Sequence, residues 1–210
     1  YLWISYPEIG LLVLLIMSVF HFGNSDLKSL RLIDLSTKLA WGFTMTFLPI
    51  LFKRDIVESI FYNLIGMNIP DLFIEVIYCI LIFSIIRIYW SVISSIVNSM
   101  SKVVWFKDKD VLLVLEFTFL IILSHFTHPF VWFAIYFCGL HAVRSLIDSN
   151  FNWSVDLKWL VVFTFPVAVF IGFTYGRYWN ADVYSLIFPI LGSLTIAHMS
   201  LPSLVRLIKR

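Results

Sequence analysis

The residues of this sequence with most chemistry to offer are five histidines, at positions 21, 125, 128, 141 and 198. A neutral imidazole ligates iron, copper or zinc through one ring nitrogen, and the ring changes charge near neutral pH. Each histidine lies inside or at the edge of a long apolar run, where an ionisable side chain is costly and usually functional. What they can do together depends on which end of its run each one occupies.

The runs are those of a helical membrane protein. The chain has 210 residues, 60% of them hydrophobic and 13% charged. A soluble domain carries about 25% charged residues and could not hide so much apolar surface. A spanning helix needs roughly 20 mostly apolar residues. By that measure the fold class is all-α, a polytopic transmembrane helix bundle of about seven spans. They fall near Pro7–Phe22, Leu35–Phe52, Leu72–Ile93, Val111–Phe126, Pro129–Ile147, Trp159–Tyr175 and Tyr184–Leu207. Asp55–Asn68 alternates apolar and polar residues and reads as an interfacial or re-entrant helix, with Ser91–Phe106 as a similar stretch. No linker, low-complexity segment or internal repeat divides the chain, so residues 1–210 read as a single integral membrane domain.

Positive charge orients the bundle. Of the 15 Lys and Arg residues, all but Lys53, Arg54 and Arg177 fall on the side of the odd-numbered connections and the tail. This predicts a multi-pass protein of the cell (inner) membrane with a cytoplasmic C-terminus. A net charge of +2 without a basic cluster gives no reason to expect nucleic acid as a partner; membrane lipid is the expected surroundings. Cys79 and Cys138 lie in apolar runs, where cysteine acts as a small hydrophobe.

With that topology, spans one, five and seven all descend to the cytoplasmic side. His21, His141 and His198 then come from three helices at similar depth in one half of the bilayer. Convergence of that kind holds metals in helical bundles, and makes these three the candidate metal ligands. Metal-bound histidines also need hydrogen-bonding partners that orient the ring; Asp26 and Glu116 approach from the same side and are the candidates. His125 and His128 belong to the opposite face. Their three-residue spacing would suit two ligands on one helical face, but Pro129 interrupts the helix and an interfacial role is the simpler reading. Phe133, Tyr136 and Phe137 precede His141 on its own span and are candidates to line a channel for a long apolar substrate. Ordinary packing is the alternative.

These residues also carry a resemblance. Ser18-Val19-Phe20-His21-Phe22-Gly23-Asn24-Ser25-Asp26 resembles the S-x-x-H-F-G-x-x-D motif of the Brp/Blh family, bacteriorhodopsin-related membrane β-carotene 15,15′-dioxygenases. Pro129 to Phe137, followed by Leu140-His141-Ala142-Val143-Arg144, is similar to the family's P-x-x-x-F-x-x-Y-F…H-S-x-R-H stretch, and Ala197-His198-Met199 to its P-H-M. The three occur in family order and span most of the chain. The resemblance implies a non-haem Fe(2+) centre that uses O2 to split the central double bond of β-carotene into two retinals, with His21 and His141 as ligands and His198 as a ligand or near neighbour. It also implies a rhodopsin as the possible recipient of the retinal. Ser145 stands where the family has a further histidine. The family's earlier P-H-G-x-x-D helix would lie ahead of Tyr1, so the chain is expected to be N-terminally incomplete. The alternative is a divergent, non-catalytic carotenoid- or retinal-binding membrane protein. A transporter with a histidine-lined path is disfavoured, because the cluster occupies only one half of the bundle.

Overall fold

The computed structural model describes residues 5–28, 34–100 and 108–148. The expected sixth and seventh spans, and His198 with them, lie outside the described residues. Everything regular among the described residues is helical. In chain order the elements are α1 (Pro7–Asp26), α2 (Leu35–Phe52), α3 (Arg54–Ile65), α4 (Asp71–Met100), α5 (Asp108–Phe126) and α6 (Pro129–Ala134). A π-helical segment (Ile135–His141) follows, and then α7 (Ala142–Asp148).

Three helical stretches are long and apolar enough to cross a membrane: Pro7–Asp26, Leu35–Phe52 and Asp71–Ser94; Val111–Phe126 is apolar but shorter. The structure thus supports a helical membrane protein with three such spans among the described residues, short of the expected seven. Two expected boundaries also change. The first helix continues a turn beyond Phe22, to Asp26. Residues Ser91 to Met100 are not a separate interfacial piece but the continuation of α4. No proline or glycine falls between Asp71 and Met100 to stop that helix.

The chain divides into two compact units. Among the described residues, one comprises 12–28, 34–58, 69–100 and 108–145, and the other 5–11, 59–68 and 146–148. In the second, the helix carrying Tyr62 ends at Gly66, whose φ of 73° is the left-handed conformation that glycine adopts without a Cβ clash. The Gly66 N–H closes on the Tyr62 carbonyl at 2.8 Å.

The larger unit holds the core. α4 shows how its helices divide their faces. Ile74, Ile77, Leu81, Ile88 and Val92 are buried on one side, at the three- and four-residue spacing of a single helical face. Phe73, Val76, Ile80, Phe83, Trp90 and Ile93 are exposed on the other. A helix apolar on both faces is suited to protein on one side and lipid on the other. α2 packs most extensively against α4. Tyr78 on α4 donates to the Ile50 carbonyl of α2 at 2.8 Å.

α1 crosses α2 where two glycines meet backbone. A Cβ at Gly42 would fall 1.8 Å from the Val19 carbonyl oxygen, and one at Gly23 would fall 2.1 Å from that of Lys38. Small residues of this kind let membrane helices approach to backbone contact. That close crossing brings Asp26, at the end of α1, beside Trp41 on α2. The core around the pair contains Phe22, Met45, Leu48, Ile88, Phe117, Leu120, Trp132 and Tyr136.

Candidate metal centre

Asp26 is the hub of the site. It is 5% exposed and accepts hydrogen bonds from three side chains on two other helical stretches. The Trp41 Nε1–H donates to Oδ2 at 3.1 Å, the Tyr136 hydroxyl donates to the same oxygen at 2.5 Å, and His141 Nδ1 lies 2.7 Å from Oδ1. An ionised carboxylate only accepts, so His141 carries its proton on Nδ1 and presents the lone pair of Nε2. That nitrogen faces His21 Nε2 at 3.1 Å. The carboxylate thus fixes both the tautomer and the direction of the imidazole, as the partners of metal-bound histidines do.

Four of the five matched residues of the first motif, His21, Phe22, Gly23 and Asp26, have a physical task. His21 contributes the ring that faces His141, their centroids 4.9 Å apart. Phe22, buried, packs edge-on against His141 at 5.0 Å and against Tyr136 at 5.1 Å. Gly23 permits the close crossing with α2. Asp26 holds His141.

The π-helical segment supplies the rest. In an α-helix, residues five apart point about 140° from one another, so Tyr136 and His141 could not share one carboxylate. The i→i+5 pattern of a π-helix returns them to a common side; such turns are frequent at functional sites. The Ala142 N–H reaches back to the Phe137 carbonyl in this pattern. Both ends of the stretch are anchored. His128 caps its start by accepting from the Phe130 N–H at 3.3 Å. The Trp132 indole donates to the Leu120 carbonyl at 3.0 Å and stacks on Tyr136 at 5.4 Å. Beyond His141, Arg144 pairs with Glu116 of α5.

The candidate residues therefore separate. His21, Asp26 and His141 are brought together. Glu116 bonds Arg144, not either histidine. Tyr136, expected along a substrate channel, is fully buried and bound to Asp26. Phe133 and Phe137 are half-buried and form a ladder with His141: Phe133 stacks on Phe137 at 5.4 Å and 7°, and Phe137 on His141 at 5.5 Å and 16°. His125 packs edge-on to Phe52 at 5.1 Å, in a different place from the His21–His141 pair. Trp41 is a site residue that neither the histidine positions nor the motifs of the sequence point to. The available signal is chemical, since an indole N–H buried in a span needs an acceptor.

Two imidazole nitrogens 3.1 Å apart have the spacing of ligands in neighbouring positions around one metal with bonds of ~2.1 Å. Together with the carboxylate behind His141, they fit as part of a metal centre. Among the described residues, no group of three or more His, Cys, Asp or Glu side chains forms a complete one.

Comparison with known proteins places the chain in a class of oxygenases. A family model described as beta-carotene 15,15′-dioxygenase matches residues 1–206, and the chain belongs to that family. No curated protein and no solved structure matches it.

Proposed function

We propose that this protein is a membrane carotenoid oxygenase that cleaves the central double bond of β-carotene with O2 to give two retinals, using a histidine-held non-haem iron. Family membership supplies the reaction class. The observation that carries the reading to particular residues is the His21–His141 pair, with Asp26 locked behind it. In this reading His21 and His141 hold Fe(2+), with His198 as the further ligand expected from the sequence. Iron held there would supply the chemistry of O2 activation.

The protein's own part is positioning. The reaction balances without outside electrons or protons: one C=C bond and one O2 become two aldehydes. A carotenoid dissolved in the bilayer reaches an intramembrane site without passing through water. Phe133 and Phe137 stack in a ladder that ends at the His141 imidazole, half-buried apolar rings beside which a flat polyene is held with one double bond next to the histidines. Holding reactants in place in this way can supply a large part of a rate enhancement. Asp26, Trp41 and Tyr136 keep the His141 Nε2 lone pair directed at the site through the reaction.

The test is iron content alongside product. Iron should copurify with the full-length protein and be lost in His21→Ala and His141→Ala, with retinal formation lost in parallel. Iron-free protein that still forms retinal would overturn the metal assignment. A second reading, pigment binding without cleavage, has one observation in its favour: Ser145, a poor iron ligand, occupies the position where the family pattern has a histidine. It predicts bound carotenoid that is recovered intact.

A further inference from the structure

Arg144 and Glu116 form a pair within the core unit, their side chains 27% and 16% exposed. Only one nitrogen of the guanidinium meets one oxygen of the carboxylate. Arg144 Nη1 and Glu116 Oε1 are buried and have no hydrogen-bond partner among the described residues. A charged pair taken out of water with bonds unmade is a weak source of stability. Its geometry is more specific. The guanidinium carbon stands 5.9 Å from the centre of the Trp41 ring, within the range of a cation–π contact. Trp41 is fully buried and leans on Phe117, the neighbour of Glu116 in α5, at 5.5 Å. Its N–H is one of the two donors on Asp26 Oδ2.

A continuous chain of contacts therefore runs from Glu116 to Arg144, across the face of Trp41, through the indole N–H to Asp26, and from Asp26 to His141. We propose that Arg144, steadied by Glu116, is a positioning residue that acts through Trp41. By fixing the indole plane it fixes the donor on Asp26 Oδ2, which leaves Oδ1 directed at His141 Nδ1. The arginine touches neither histidine in this account. A lysine would not replace it, because a compact ammonium on a flexible stem lacks the planar fork that meets a carboxylate and an aromatic face together. The proposal rests on His141 Nε2 being the working atom of the site. It does not depend on which metal or pigment that atom meets.

Arg144 follows His141 by three residues on the same helical stretch, so a substitution could also tilt His141 directly. A double-mutant cycle separates the two routes. The readout is the tautomer of the His141 ring, followed by NMR of 15N-histidine-labelled full-length protein in detergent, metal-free and at one fixed pH. The His141 signal is assigned by its loss in His141→Gln. Wild type should hold the Nδ1–H form. Arg144→Gln and Arg144→Lys should each raise the ratio of Nε2–H to Nδ1–H by ~2- to 30-fold, the range that one lost cation–π contact covers. Glu116→Gln should act in the same direction. In a Trp41→Phe background, the Arg144 substitutions should add nothing further. An unchanged tautomer in the folded Arg144→Lys variant, or an equal shift in both backgrounds, would overturn the proposal. Because the measurement is made without metal, a protein that shows this coupling yet binds no iron and cleaves no carotenoid would refute the oxygenase reading and leave the positioning role standing.

Discussion

The working unit at the residue scale is a carboxylate with two oxygens and two duties. Oδ2 of Asp26 takes Trp41 and Tyr136, and Oδ1 takes His141. Asp26→Asn keeps the size but offers only one acceptor and puts a donor where the second stood. It should lower metal affinity ~10–100-fold, the usual cost of losing a partner of a metal-bound histidine, as measured by iron or cobalt titration of the purified protein. Tyr136→Phe removes a hydroxyl that bonds a charged group, a change worth ~1.5–3 kcal/mol. It should lower the unfolding free energy in mild detergent while Trp41 still holds Oδ2, so its effect on metal affinity should be the smaller of the two. At this scale the sequence was legible where depth decided the matter. His21 and His141 could be paired from the direction of their spans alone, and Asp26 from its nearness to His21. It was not legible where helical phase decided, because Tyr136 can be put on Asp26 only with knowledge of the π segment, and a wheel of 3.6 residues per turn sends it elsewhere. Depth alone also directs Glu116 to the histidines, but its phase on α5 turns it to Arg144.

At the scale of the elements, the site depends on how closely α1 and α2 cross. Gly42→Val places atoms where the Val19 carbonyl already is. Backbone cannot yield as a flexible side chain does, so the helices must separate. Overpacking of this kind costs ~1–3 kcal/mol or more, and the His21–His141 pair should loosen along with it. The check is a fall in both thermal stability and metal retention. A second junction lies at the start of α2, where Ser36 and Thr37 each donate to Asp34 at 2.5 Å and Arg87 of α4 pairs with it at 2.6 Å. The two hydroxyls, and then the guanidinium, hold the Asp34 carboxyl well below the usual carboxylate range. A depressed carboxylate stabilises the fold above its unfolded pKa of ~3.9, and that contribution is lost as pH falls through the lower folded value. The stability difference between wild type and Asp34→Ala should therefore be flat from pH 5 to 8 and narrow below about pH 4. Asp34 is half exposed, so the difference should stay within ~1 kcal/mol. Thermal unfolding across that pH series checks it.

For the whole molecule, composition decided the class, and the structure agrees as far as it is described: the regular elements are helical, and three stretches are long and apolar enough to span a bilayer. Hydropathy marked the positions of α1, α2, α4 and α5 because lipid and protein both accept apolar side chains. For the same reason it could not separate the buried face of α4 from its outer face, or see that α4 runs on unbroken to Met100. Exposed Phe73, Phe83 and Trp90 call for lipid around the molecule, and the protein should stay in the membrane pellet after extraction with alkaline carbonate. The bundle is proposed to bring a carotenoid to a histidine-held metal and cleave it. The most direct measurement is retinal extracted from a β-carotene-producing bacterial host that expresses the full-length protein with iron supplied. Retinal should form with the wild type and be absent with His141→Ala at equal protein level. Intact β-carotene, with wild-type protein present in the membrane, would contradict it.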